Sequence, residues 1–256
     1  MKLAPAVAAA CLAAAVAPAA EKDTRVYELR IYTAAPGKLD ALNARFRDHT
    51  VKLFEKHGMT NVAYWVPVDN KENQLIYLLS YASKEARDKS FREFGADPAW
   101  RAALQASQAG GSLTAQNGVK SMLLTPTDYS PGMSAGGSSK GGVIEMRTYT
   151  ATAGKLDNLN ARFRDHTLKL FEKHGIKNLG YFTPIKGQRG VNDDTLVYFL
   201  AHESPEAAKK SFDTFRVDPD WVKAKAASEQ KAGGSLTTEG GVKSVFMKPT
   251  DYSPMK

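Results

Sequence analysis

Cysteine is almost absent from this chain of 256 residues; Cys11 is the only one. An internal disulfide is therefore excluded, and so is a metal site built on several thiolates. The sequence also lacks a phosphate-binding glycine loop. Gly110-Gly111-Ser112 and Gly233-Gly234-Ser235 follow helical stretches instead of opening them, so they read as helix stops. No glycine-flanked serine stands at a strand-to-helix turn, as a hydrolase nucleophile would. Charge of one sign does not cluster either. The formal net charge is +8, but Lys and Arg alternate with Asp and Glu along the whole chain, without the basic block and interleaved aromatics that nucleic acids require. Nucleic acid is thus not an expected partner.

Long apolar runs are confined to the N-terminus. Residues 1–20, MKLAPAVAAACLAAAVAPAA, join Lys2 to an alanine-rich stretch and end near Ala17-Pro18-Ala19, the pattern of a cleaved export signal. The stretch is short, weakly apolar and holds Pro5 and Pro18, which argues against a membrane anchor. Lipid attachment at Cys11 is disfavoured because Ala8-Ala9-Ala10 lacks a branched apolar residue. The expectation is a periplasmic or secreted protein with no stable membrane insertion once the signal is gone.

What the sequence does contain is repetition. KLDALNARFRDHTVKLFEKHG at 38–58 returns as KLDNLNARFRDHTLKLFEKHG at 155–175, changed only at Ala41/Asn158 and Val51/Leu168. Around it, residues 26–33 alternate as a strand, and 39–57 carry Leu39, Leu42, Phe46, Leu53 and Phe54 at helical spacing before the stop at Gly58. Residues 61–68 and 74–82 read as strands, 84–109 as helix interrupted at Asp97-Pro98, and 119–125 as a last strand. The order β-α-β-β-α-β recurs from Val143 to Lys248, with a longer loop at Gly187-Gln188-Arg189-Gly190. The fold class is α+β, two ferredoxin-like repeats. Residues 1–20 form the signal, 21–131 the first domain, 132–142 a flexible Gly/Ser linker and 143–256 the second domain. PTDYSP closes each copy, at 126–131 and 249–254.

VYELRIYT, the PGKL turn, the EKHG helix end, the strand of Trp65 and the DPAW and DPDW segments together resemble the NIPSNAP family. The resemblance spans nearly all of the chain after residue 20. It implies that the two repeats pair across their open sheet faces into a pseudo-dimeric α/β barrel. The family's biochemical activity is poorly defined. Its animal members are chiefly described as mitochondrial proteins that bind other proteins, a setting from which an export signal departs.

Candidate functional residues lie on the first strand of each copy. Alternation groups Tyr27, Leu29 and Ile31 on one face and Glu28, Arg30 and Tyr32 on the other, with Glu145, Arg147 and Tyr149 repeating the polar set. The apolar face is expected to meet the helices and the polar face to line the barrel interior. There the charges either pair with each other as scaffold or offer an arginine fork to a small carboxylate or phosphate. Tyr77 and Tyr198 join Tyr64, Trp65 and Tyr81 as packing residues or as aromatic lining. His49 and His166 fall on or beside the apolar helix stripe, as hydrogen-bonded core residues or secondary ligand candidates. A haem ligated by His49 is disfavoured by that placement. His49 and His57 are too far apart to share a metal, so neither metal nor cofactor is expected. His57 and His174 are assigned to the negative helix ends. His202 aligns with Tyr81 and has no assignable partner.

Arg45, Arg47, Lys52, Glu55 and Lys56 are identical in both copies although core packing does not require them. Their shared face points to equivalent contacts by helices 39–57 and 156–174, between the copies or with another subunit. Local gene conversion is the alternative. The function expected is binding of a small anionic ligand or a protein partner. The alternative is a cofactor-independent monooxygenase- or isomerase-like enzyme using the cavity between the two sheets.

Overall fold

The computed structural model describes residues 23–133 and 142–256. The expected signal, Cys11 and most of the expected 132–142 linker lie outside the described residues. The first copy runs β1 (Val26–Ala34), α1 (Leu39–Arg45), a π turn (Phe46–Thr50), α2 (Val51–Lys56), β2 (Thr60–Pro67), β3 (Gln74–Tyr81), α3 (Lys84–Ala96), α4 (Pro98–Ser107) and β4 (Thr114–Pro126). The second repeats it as β5 (Val143–Ala151), α5 (Leu156–Arg162), a π turn (Phe163–Thr167), α6 (Leu168–Lys173), β6 (Lys177–Pro184), β7 (Thr195–His202), α7 (Pro205–Arg216), α8 (Pro219–Lys231) and β8 (Thr237–Pro249). Among the described residues, no helix is long and apolar enough to cross a membrane.

All eight strands close one antiparallel barrel in the order β1-β3-β2-β8-β5-β7-β6-β4. Two short ladders join the copies, Trp65–Pro67 against Met247–Pro249 and Leu124–Pro126 against Phe182–Pro184. The lumen is packed with apolar side chains of both copies, among them Tyr27, Leu29, Trp65, Ile144, Met146, Phe182 and Met247. Trp65 stacks on Phe199 with ring centroids 5.4 Å apart.

This packing reverses the face assignment made from the sequence. Tyr27, Leu29 and Ile31 belong to the lumen, whereas Glu28, Arg30 and Tyr32 lie under the helices: Glu28 meets Arg87 of α3, and Tyr32 meets Phe46. Glu145, Arg147 and Tyr149 are inverted likewise, with Arg147 over Phe212 of α7 and Tyr149 against Phe163. Alternation separates the two faces but does not say which one the helices cover. The barrel closes on itself and excludes water, so its lumen takes the apolar set. The layer beneath the helices can hold charge because each carboxylate meets partners there, Arg87 of α3 in the first copy and His202 of β7 in the second. Packed side chains fill much of the space between the two sheets, and a cavity of about 350 Å³ lined by residues of both copies, among them Leu29, Ile31, Met122 and Arg189, remains beside them.

The helix ends follow their sequence signals. Ser83 and Ser204 cap α3 and α7, accepting from the backbone N–H of Ala86 and Ala207. Asp97 and Asp218 cap α4 and α8, each followed by proline in the first turn. Within the repeated helix, the Thr50 hydroxyl donates to the Arg45 carbonyl at 3.1 Å, and Thr167 to Arg162 at the same distance. The π turn adds a residue to one helical turn, so Thr50 and Thr167 rotate inward and His49 and His166 outward. Both histidines are exposed, which corrects their placement on the apolar stripe.

The closing PTDYSP segments cross between copies. Tyr129 of the first donates to Asn160 of the second at 2.7 Å, while Arg164 holds Asp128 through two hydrogen bonds of 2.8 and 2.7 Å. Reciprocally, Tyr252 donates to Asn43 at 2.7 Å and Arg47 holds Asp251 at 2.6 and 2.9 Å. Ser130 and Ser253 accept from the backbone N–H of Tyr181 and Tyr64. The start of the expected flexible linker is also fixed. Met133 is buried in the lumen, and its carbonyl accepts from the Tyr27 hydroxyl at 2.9 Å. Gly180 makes room for it, since a Cβ there would stand 2.6 Å from Met133 Cγ. Finally, Gln188 of the longer loop bonds the backbone of Leu123 in the first copy through both its oxygen and its nitrogen, each at 2.8 Å.

Candidate ligand cavity between sheet and helices

Each copy has a fully buried carboxylate on its first strand. Glu28 accepts from Arg30, from Arg87 at 2.8 and 3.0 Å, from Ser121 at 2.5 Å and from Tyr81 at 3.1 Å. Glu145 accepts from Arg147, from Ser244 at 2.5 Å and pairs with His202 at 2.9 Å, so the histidine without an assignable partner has one. Arg87 has no equivalent in the second copy, where Ala208 stands. Burial pushes the Glu28 carboxyl up, but Arg87, Arg30 and Ser121 hold it below the ordinary value. Glu145 is lowered in the same way, with burial opposed by His202, Arg147 and Ser244. The strand arginines are shared between these carboxylates and the neighbouring tyrosines: Arg30 donates to Tyr32 at 3.0 Å, and Arg147 to Tyr149 at 3.3 Å. The scaffold reading of these six residues thus has its partners in place.

A second arginine in each copy is different. Arg45 and Arg162, assigned from the sequence to an exposed face, are each only 6 % exposed. They end α1 and α5 just before the π turn and lie over Trp100 and Trp221, at 5.4 and 5.2 Å from the ring centroids. Arg45 reaches only the Ser107 hydroxyl, at 3.4 Å, and has no carboxylate within ion-pair distance among the described residues. Arg162 has one carboxylate near it, Glu229 at 3.6 Å, and neither its Nε nor its Nη1 makes a hydrogen bond. Burial draws both guanidiniums below the ordinary arginine value. A desolvated cation without a matched anion behaves in this way.

In the second copy Arg147 and Arg162 border one cavity of about 300 Å³, at the small end of the range for small-molecule sites. Phe163, Phe212, Phe215 and Trp221 supply its apolar wall. Arg216, Lys225 and Glu229 also line it, and the exposure of Arg216 and Lys225 puts them at its rim. The lining thus holds four cations and one carboxylate, with Arg147 also paired to Glu145 and Arg216 to Asp213. Tyr149 lines the cavity, while Tyr198 is fully buried against Tyr149 and Phe163, each ring 5.2 Å away. In the first copy Tyr77 is buried likewise and stacks on Tyr64 at 5.2 Å. Burial pushes the Tyr77 and Tyr198 hydroxyls well above their usual range. His166 lines a separate outer groove with Asp165 and Lys231, on the other side of Arg162. His57 and His174 bond the capping Asp97 and Asp218 at 2.7 and 2.8 Å, so they link helices as well as ending them. The described residues contain no cluster of three or more His, Cys, Asp or Glu placed to hold a metal.

Sequence reasoning missed Arg45, Arg162 and Glu229. The signal available was the identity of Arg45 and Arg162 in both copies, together with a tryptophan in the same place of both DPAW and DPDW.

The sequence model of the NIPSNAP family matches residues 27–131 and again 144–254. Among solved structures, an anthrone oxidase-like protein superposes with a TM-score of 0.58 at 12% identity, over 91% of this chain and 94% of its own. A candidate monooxygenase from Lactobacillus acidophilus NCFM gives 0.55 at 10% identity, over 89% and 94%. A NIPSNAP family protein of unknown function from Agrobacterium tumefaciens str. C58 is 20% identical over 42% of this chain and 93% of its own, with a TM-score of 0.38. No curated protein matches the sequence.

Proposed function

The chain belongs to the NIPSNAP family over both copies, and on that premise we propose that it binds a small aromatic or apolar carboxylate in the sheet–helix cavity of its second copy. Arg162 carries the proposal: a buried guanidinium with two N–H-bearing nitrogens unbonded borders a cavity that a second arginine shares. A carboxylate seated there would supply a missing acceptor to one of these nitrogens, and such charge-assisted hydrogen bonds are the strong ones. The aromatic wall suits a flat apolar body. Beneath this site we take the two repeats to be ferredoxin-like units related as the protomers of a dimeric barrel. The export signal read at 1–20 would place the binding in the periplasm or outside the cell.

Oxygenation without a cofactor, in this same cavity, is a second reading that rests on likeness of fold to the candidate monooxygenase and the anthrone oxidase-like protein. Binding is preferred because the unbonded guanidinium is a feature of this chain's own site.

Calorimetric titration with benzoate and phenylacetate tests the proposal. Heat of binding is expected with the unaltered protein and its loss in Arg162→Met. The melting temperature should hold or rise, because the variant removes an incompletely paired buried charge. No binding heat with either acid, or equal binding after Arg162→Met, would overturn it.

A further inference from the structure

A second feature of this cavity depends on the anion-binding reading and concerns what stands near Arg162 when no ligand is bound. The Glu229 carboxylate is 3.6 Å from Arg162 Nη1, close enough for attraction and too far for a hydrogen bond. It is 28 % exposed and has a second cation one helical turn earlier, Lys225 at 4.0 Å. Glu229 is therefore drawn toward two partners and tightly bonded to neither.

The first copy supplies the control. The residue in the place of Glu229 is Gln108, and that of Lys225 is Leu104. Arg45 there is as buried as Arg162 and has only the Ser107 hydroxyl. The fold thus holds this guanidinium without any carboxylate, so Glu229 is not required to keep Arg162 in place. The acidic residue occurs in the copy whose cavity rim also carries Arg216 and Lys225, where the first copy has Gly95 and Leu104.

We infer that Glu229 is a resident competitor for Arg162: it partly neutralises the empty site, and an incoming carboxylate displaces it toward Lys225. The exchange favours ligands that make what Glu229 does not make, a direct hydrogen bond from an unbonded guanidinium nitrogen. A displaced Glu229 still has Lys225 as partner, so no charge is stranded. The residue thereby sets selectivity. A neutral ligand gains nothing from the displacement, and a carboxylate with poor geometry cannot replace the one already present.

The test compares the unaltered protein, Arg162→Met and Glu229→Gln, with benzoate and phenylacetate and with the corresponding neutral amides. Glu229→Gln installs the residue of the first copy and should leave the melting temperature nearly unchanged. Carboxylate affinity is expected to rise about tenfold in this variant, with the amides unaffected. If carboxylates bind the unaltered protein and lose binding in Arg162→Met, but bind Glu229→Gln equally or more weakly, the competitor role is overturned while the anion site stands. Amides gaining in step with the acids would also overturn it, since that is a change of cavity shape. Silence of all three proteins toward both acids would remove the anion site and the competitor together.

Discussion

The two copies keep one helix almost unchanged and differ in charge in the helix pair that packs beside it. Under the sheet of the first copy, Glu28 gathers two arginines, Arg30 and Arg87; under the second, Glu145 has Arg147 and His202, with Ala208 where Arg87 would be. Around the other guanidinium the shift is opposite. Gly95, Leu104 and Gln108 of the first copy become Arg216, Lys225 and Glu229 of the second. Charge has been withdrawn from beneath the sheet and added at the rim of a cavity. The helices α3, α4, α7 and α8 could drift because each pair answers to its own copy. The repeated helix answers to both. Asn43 and Arg47 hold the tail of the second copy, and Asn160 and Arg164 hold the tail of the first. Lys56 and Lys173 bond the aspartate caps, and Glu55 and Glu172 bond Asn61 and Asn178. The contacts of Asn43, Arg47, Asn160 and Arg164 cross to the other copy, whereas those of Glu55, Lys56, Glu172 and Lys173 stay within their own. Nothing in the structure explains the identity of Lys52 and Lys169.

Separating the copies should have the largest effect. Residues 23–133 alone would leave Trp65 and the rest of the lumen face in water, along with two sheet edges. The tail contacts use the same residue types in both directions, so this fragment is expected to dimerise, as is 142–256. A mixture should favour the mixed pair, because Met133, set one residue further along by Gly132, lies against Gly180, whereas the first copy carries Ala63 there. Native mass spectrometry of the mixture checks both points. A stable monomer at micromolar concentration, or self-pairs in preference to the mixed pair, would break the comparison.

The buried carboxylates come next. Glu28→Gln strands two guanidiniums and should cost about 3–5 kcal/mol, the range for removing one partner of a buried ion pair. Glu145→Gln strands one and should cost less. The pH dependence has the same origin. Both carboxyls are lowered in the folded protein, so their contribution is present above the ordinary glutamate value of about 4.3 and is lost as pH falls through the lowered folded value. Urea unfolding at neutral pH and at a series of acid pH values should therefore show a flatter acid limb in each Gln variant than in the unaltered protein. Equal costs for the two substitutions would mean that His202 replaces Arg87 fully.

Much of this fold was legible in the sequence because local signals agreed with the global one. The glycine stops, the aspartate cap and the repeat gave the order of the elements, although the last strand begins at Thr114, five residues before the expected start. The orientation of β1 was not legible from β1, since alternation is symmetric about the sheet. β3 and β7 held the needed clue: QLIYLLSY and TLVYFLAH are buried along almost their whole length, as strands covered on both faces must be. Once both faces are covered, polar residues on one of them need not point into the lumen. The π turn had no such sign. An extra residue in one turn alters which side chains point inward without altering the apolar spacing much, which misplaced His49 and His166 and hid Arg45 and Arg162. The cavity depended on Arg162, so it was the least readable part.

The smallest effect separates the two tail contacts. Arg47–Asp251 and Arg164–Asp128 are forked pairs with substantial exposure on both sides, 44 and 64 % in the first and 41 and 51 % in the second. Such pairs contribute less than about 1 kcal/mol, and less still in high salt. Asp251→Asn and Asp128→Asn should each lower stability by a few tenths to about 1 kcal/mol, by similar amounts and nearly additively, because the two contacts share no residue. Exchanging the charges, Arg47→Asp with Asp251→Arg, should recover part of the loss caused by Arg47→Asp alone. Denaturant titration of these variants at low and high salt provides the comparison. Similar small costs would fit a helix held by reciprocal contacts at both ends of the barrel. A cost confined to one copy would instead mean that only one tail is needed, and that the identity of the other helix has a separate cause.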